Sequence, residues 1–174
     1  MIQIKVHEAR KKEAIMRTRI ISAFPGSGKS FYHLNHKDTT LDSDSSLFSW
    51  VYVDGVKQRN PEFPNNYINH IKENIGKYDF IFVSTHKEVR DALINNCIYF
   101  YLIYPSCDDK EIYLSRYKER NSPQSFIDLL SNNWYAWLTE LRSCVLGCRQ
   151  IEMISGRTIT DALDHIIRSE SGES

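Results

Sequence analysis

The chain has 174 residues, 41% of them hydrophobic and 25% charged, values close to globular averages and far from those of disordered or membrane-embedded chains. Its 22 lysines and arginines balance 22 aspartates and glutamates, so no global positive field draws it to nucleic acid or to an anionic membrane, and any phosphate must be held by local groups. A chain of this length forms one core, burying roughly 70% of the surface of its unfolded form.

The longest apolar runs, such as 97–104, are too short to span a bilayer, and the N-terminus carries lysine and arginine without an apolar signal core. The expectation is a cytoplasmic protein with no membrane partner. Cys97, Cys107, Cys144 and Cys148 form no zinc-type spacing and read as free thiols of a reducing compartment.

Residues 1–17 hold a charged stretch that reads as an appendage. From Thr18 onward, short β-branched or aromatic runs alternate with stretches of helical spacing, the pattern of a parallel sheet wrapped by helices. Strands are predicted near 19–23, 39–42, 78–84, 98–103 and 150–154. Helices are predicted over about 29–34, 65–76, 87–95, 108–120, 123–144 and 160–168. The runs at Phe80–Val83 and Tyr99–Ile103 are apolar throughout, as expected of central strands covered on both faces. Trp134, with Leu130, Leu138 and Leu141 at helical spacing, reads as core. The polar residues 169–174 read as a frayed tail, and nothing divides 18–168 into more than one domain.

Between the first strand and the first helix lies Ala23-Phe24-Pro25-Gly26-Ser27-Gly28-Lys29-Ser30. A loop that wraps phosphates must aim several backbone N–H groups inward, which favours glycines able to take positive φ, here Gly26 and Gly28. Lys29 supplies the neutralising charge, Ser30 a hydroxyl for Mg²⁺, and Pro25 stiffens the turn. The alternative reading is a glycine-rich turn without chemistry. At the end of the second strand, Asp42 and Asp44, two residues apart, alternate onto one face, so both carboxylates can address one site. Ser43–Ser46 also reads as a helix cap over 47–51.

The loop 24–30 resembles that of nucleoside monophosphate kinases of the adenylate kinase type, and Asp42-Ser43-Asp44 is similar to the acidic motif of shikimate and gluconate kinases. The resemblance is confined to these motifs, to the strand and helix order through residue 168, and to the arginine-bearing segment near 116–120. Ala23 departs from the glycine that usually opens the loop. The resemblance implies a P-loop NTPase fold, a three-layer αβα sandwich on a five-stranded parallel sheet, with a lid around 107–123. It implies ATP and Mg²⁺ as cofactors. Pro25, Gly26, Ser27, Gly28, Lys29 and Ser30 would hold the phosphates, Ser30 and Asp42 the metal, and Asp44 the acceptor, with Lys29, Asp44, Arg116 and Arg120 catalytic. Arg116 and Arg120, four apart on a helix, would clamp the phosphates as lid arginines; a solvated charged face is the alternative. Arg157, in the turn after the last strand, would lie by the base. Arg59, His86 and Arg90 would join Asp44 around the acceptor, near the carboxyl ends of the strands where ligands of parallel sheets bind.

Three functions follow as expectations. The leading one is phosphoryl transfer from ATP to a nucleoside monophosphate. The second is transfer to the hydroxyl of a small molecule or nucleoside. The third is a nucleotide-dependent switch without a metabolic acceptor. Each implies a small-molecule ligand; nucleic acid is disfavoured, and the oligomeric state stays open.

Overall fold

The computed structural model describes residues 17–172, so the appendage expected at 1–17, apart from Arg17, lies outside the described residues, as do residues 173–174 of the tail. In chain order the elements are β1 (Arg19–Ala23), α1 (Lys29–Asn35), β2 (Thr40–Asp42), α2 (Ser46–Ser49), β3 (Trp50–Val53), β4 (Val56–Arg59), α3 (Asn65–Asn74), β5 (Phe80–Val83), α4 (Lys87–Asn95) and β6 (Phe100–Pro105). A 3-10 turn at Cys107–Asp109 leads into α5 (Lys110–Glu119), then α6 (Gln124–Arg142), β7 (Cys148–Met153) and α7 (Ile159–Ser171).

Five strands form an all-parallel sheet in the order β2-β5-β1-β6-β7, an α/β arrangement compatible with a three-layer sandwich. β1 lies between β5 and β6, with Ile21 level with Phe82 on one side and Tyr101 on the other. Every residue of β5 and β6 is buried, because helices cover both faces. The path from β1 to β2 passes over β5, whereas the path from β5 to β6 passes over β1 in the opposite direction. Right-handed crossovers then put α1 on one face and α4 on the other. The neighbours agree with this: α1 packs with α7, α3 with α4, and α5 with α6. Where the connections of β1 and β5 diverge, a crevice opens at their carboxyl ends.

The strand bounds differ from expectation most at β6, which starts two residues later than predicted and runs through Tyr104 and Pro105, because β7 pairs with it as far as Pro105↔Met153. The tail is also corrected. α7 continues to Ser171 and ends on Gly172 in the left-handed region, and Glu170 accepts hydrogen bonds from Arg19 and from the Tyr101 phenol, which holds the last turn to the sheet. In α6, Leu130, Trp134, Leu138 and Leu141 are buried at helical spacing, and the indole of Trp134 donates to the Cys107 carbonyl at 2.9 Å. An antiparallel hairpin of β3 and β4, turned at Asp54 and Gly55 with φ of 50° and 77°, was not among the expected elements.

Candidate functional site

The loop leaving β1 is fixed at both ends. The Phe24 amide donates to Ile103 O of β6 at 2.9 Å, and the Ser27 amide turns back onto Phe24 O at 3.2 Å. Between them Gly26 and Gly28 adopt φ of 79° and 104°, the left-handed conformations that glycine takes without strain. The result is a concave run of main chain in which the amides of Gly26, Gly28, Lys29 and Ser30 donate to no acceptor among the described residues. Successive unpaired N–H groups beside glycines of positive φ are the backbone pattern on which anion nests are built.

Lys29 is half-buried, but its ammonium is withdrawn from water and donates to Ala23 O at 2.5 Å and Phe24 O at 3.3 Å. That burial pushes its pKa down to about 8; Asp42 and Asp44 oppose the shift, and Arg120 adds to it. All three of these charges therefore lie near the ammonium. Ser30 Oγ donates to Asp42 Oδ2 at 2.8 Å, placing one hydroxyl and one carboxylate together at the end of β2. Asp44 uses Oδ1 to accept the Ser46 amide, the first of α2, at 2.8 Å, while Oδ2 has no donor among the described residues. Ser45, the residue that precedes α2, makes no side-chain hydrogen bond to the helix start. Between the two acids, Ser43 is held from two sides: its amide donates to Phe82 O at 3.0 Å, and its carbonyl accepts the buried phenol of Tyr67 at 2.6 Å. Burial raises the Tyr67 pKa to about 12, so it acts only as a neutral donor.

Pro25, Lys29, Ser30, Asp42, Asp44 and His86, with Ser43, Ser45, Ser84 and Thr85, line the crevice, a cavity of about 240 Å³. On the other side of the loop, Gly26, Gly28 and Arg120 border two further hollows of about 370 and 390 Å³; the second also takes in Phe31, Arg116, Thr158 and Thr160. Arg116 reaches Gly26 O at 3.4 Å and stacks over Tyr113 at 4.7 Å. The arginine-bearing helix expected as a lid therefore already rests on the loop. The crevice also opens past Pro25, Thr85 and His86 into an apolar cavity of about 440 Å³ walled by Phe24, Phe126, Leu129 and Trp137.

Three expected site residues are not brought together with the rest. Arg90 is a correction: only 2% of its side chain is exposed, its guanidinium binds both carboxylate oxygens of Glu140 and the Thr85 carbonyl, and it is occupied by the core instead of facing an acceptor. Arg59, on β4, is exposed, stacks over Phe63 at 4.6 Å and pairs with Glu88, outside the crevice lining. Arg157, expected by the base, is exposed in the turn after β7, and its successors Thr158, Ile159 and Thr160, not Arg157 itself, line the hollow beside the loop. The sequence reading missed Tyr67 and Tyr117. A tyrosine at helical spacing looks like any other core residue until its hydroxyl partner is known.

Comparison with models of known protein families found no match, and comparison with curated protein sequences found none either.

Proposed function

We propose that this chain is an ATP-dependent phosphotransferase of the P-loop kind, which transfers the γ-phosphoryl group to a hydroxyl. One observation carries the reading: a loop whose Gly26, Gly28, Lys29 and Ser30 amides have no acceptor among the described residues joins a desolvated lysine and a serine–aspartate pair in the crevice at the carboxyl ends of parallel strands to the hollows on its other side. The amides of Gly26, Gly28, Lys29 and Ser30 would receive phosphate oxygens, and Lys29 would exchange two carbonyl partners for β- and γ-phosphate oxygens. Arg116 and Arg120 would meet the nucleotide from the opposite side, with the base and ribose in the hollow bounded by Phe31 and Thr158–Thr160.

Ser30 and Asp42 suit Mg²⁺. They offer two hard oxygens that already touch, and a magnesium ion that keeps several waters needs one or two protein oxygens beside the phosphates. Among the described residues no group of three or more acidic, histidine or cysteine side chains gathers to form a cage, so the remaining ligands would be phosphate and water. When bound, the ion spreads the charge developing on the transferred group.

The crevice lining favours a hydroxyl acceptor. It carries two carboxylates, several hydroxyls and His86, and among the described residues Lys29 is the only lysine or arginine that lines it. With Arg90 buried against Glu140, a second phosphate would enter opposite two acids without a cation of its own. A hydroxyl instead finds an acceptor in Asp44, whose Oδ1 is anchored and whose Oδ2 is free. The apolar cavity beyond Thr85 and His86 would take the body of the molecule that carries it. In the transfer, the acceptor oxygen attacks γ-phosphorus, the bond from γ-phosphorus to the β–γ bridging oxygen breaks, and the acceptor proton passes to Asp44. The chain's contribution is mainly positioning and charge neutralisation.

The test is transfer of labelled phosphate from ATP with Mg²⁺ to two panels, alcohols with apolar bodies and nucleoside monophosphates, in wild type and Asp44→Asn. Product is expected in the first panel, and Asp44→Asn should lower kcat by about 100-fold or more with ATP affinity nearly unchanged. Product only in the second panel would establish the nucleoside-monophosphate acceptor instead. Absence of nucleotide binding by the folded wild type would end the phosphotransferase reading.

A further inference from the structure

The sulfurs of Cys144 and Cys148 lie 3.9 Å apart, and the Cys148 thiol donates to the Cys144 carbonyl at 3.0 Å. Both cysteines are free and half-buried. Cys144 sits just past the end of α6 and Cys148 opens β7, so the pair bridges two elements joined by a five-residue turn. Gly147, at φ 68°, makes that turn possible, and Val145 and Leu146 at its tip are 71% and 70% exposed. The approach from solvent is therefore open on the turn side. Closing the gap to a bond of about 2.0 Å needs a movement of roughly 2 Å, within the reach of rotations about the two Cα–Cβ bonds and a small shift of an exposed turn.

The surroundings fix the rest of the turn's anchorage. The Gln150 side-chain amide donates to Cys144 O at 2.7 Å and to Arg142 O at 3.0 Å, and the Tyr104 phenol donates to Gln150 Oε1 at 2.8 Å. The backbone that carries Cys144 is thus held at the sheet edge whatever the state of the thiols. One turn earlier on α6, Glu140 receives the buried Arg90, which in turn holds the carbonyl of Thr85 in the crevice lining. The cysteine pair is the outer, half-buried end of a chain of contacts that leads inward to the candidate site.

We propose that Cys144 and Cys148 form a thiol–disulfide exchange site that closes an intramolecular disulfide with low-molecular-weight disulfides such as oxidised glutathione. The Cys148 thiol is engaged by the Cys144 carbonyl at 3.0 Å, and burial pushes its pKa up, so Cys144 is the residue that attacks first. Its thiolate displaces one glutathione thiolate and forms a mixed disulfide. The Cys148 sulfur then attacks the Cys144 sulfur and displaces the second glutathione, which takes the proton from Cys148. Two protein thiols are oxidised, one external disulfide is reduced, and two glutathione thiols are released. Cys107 is placed differently, with its sulfur against the Arg142 guanidinium at 2.8 Å, and Cys97 lies on an exposed turn, so neither competes for Cys144.

Residues Arg142 and Arg149 flank the pair, so trypsin releases both cysteines in one peptide, 143–149. The folded full-length chain is incubated with oxidised glutathione, then blocked with an alkylating reagent, digested and weighed. The expected peptide has lost two hydrogens and carries no alkyl group, and dithiothreitol restores double alkylation. In Cys148→Ser the same treatment should leave Cys144 as the glutathione mixed disulfide. Full alkylation of 143–149 in oxidised wild type, or a stable glutathione adduct on it, would overturn the proposal. The readout involves no nucleotide, so its failure leaves the phosphotransferase reading untouched.

Discussion

Gly26 and Tyr117 share one boundary: a methyl group added to Gly26 would lie 2.8 Å from the Tyr117 hydroxyl oxygen and 3.0 Å from its ring. The turn that aims the loop amides and the helix that carries Arg116 and Arg120 are thus in direct contact, and the glycine is required for that contact as well as for its φ of 79°.

Replacing this glycine tests the contact. Gly26→Ala should lose about 2 to 4 kcal/mol of stability, from the left-handed strain and from overpacking against the phenol. Chemical denaturation measures the loss. In the background Tyr117→Leu, the overpacking share of that loss should shrink, leaving mainly the backbone strain.

The Tyr117 hydroxyl is buried and has no hydrogen-bond partner among the described residues. Burial also pushes its pKa well above the ordinary tyrosine value, so the group stays protonated at any working pH. Tyr117→Phe removes an unsatisfied donor while keeping the ring, and should stabilise the nucleotide-free chain by about 1 kcal/mol. A clear loss of stability in thermal melting would mean that the hydroxyl is satisfied in solution.

On the proposed reading, Lys29 would make nucleotide binding pH-dependent. Its folded-state pKa of about 8 lies below the ordinary 10.5, so the unfolded chain holds more protons between those values and stability rises with pH across that window. Lys29→Met should flatten this rise and make the free chain at pH 7 more stable by about 2 kcal/mol. Phosphates restore the charged form, so ATP affinity should fall by up to about tenfold per pH unit above pH 8, with proton uptake on binding. Calorimetry in buffers of different ionisation enthalpy reads both. An affinity flat from pH 7 to 10 would remove the ammonium from the binding site.

The Arg90–Glu140 pair predicts an effect on stability before any effect on substrate. Glu140→Gln leaves a buried guanidinium without its charge partner and should cost about 3 kcal/mol. At temperatures where the variant is folded, its KM for ATP should stay within about twofold of wild type, since Glu140 borders the apolar cavity beyond His86 and not the hollows beside the loop proposed to hold the nucleotide.

The parallel sheet was legible because its strands announce themselves: Phe80–Val83 is apolar throughout, and a strand covered on both faces needs no alternation. The β3–β4 hairpin was not read, because Trp50–Val53 and Val56–Arg59 are largely exposed on both sides and show no apolar period. Its one sharp signal was Asp54-Gly55, the dipeptide of a tight hairpin turn. Spacing near the loop brought Lys29, Ser30 and Asp42 together correctly, since all three follow from strand ends. It failed for Arg90, whose partner Glu140 stands fifty residues away on another helix. A charge on a helix face looks the same in sequence whether it turns to a ligand or to the interior.

The grip of the Tyr67 phenol on the Ser43 carbonyl has a consequence for selectivity. The backbone between the two acids is bolted to a core helix, so their spacing belongs to the scaffold and is set before any ligand arrives. On the proposed reading, a molecule entering there would have to match a ready-made ruler, and near-misses in length would be rejected by the frame itself.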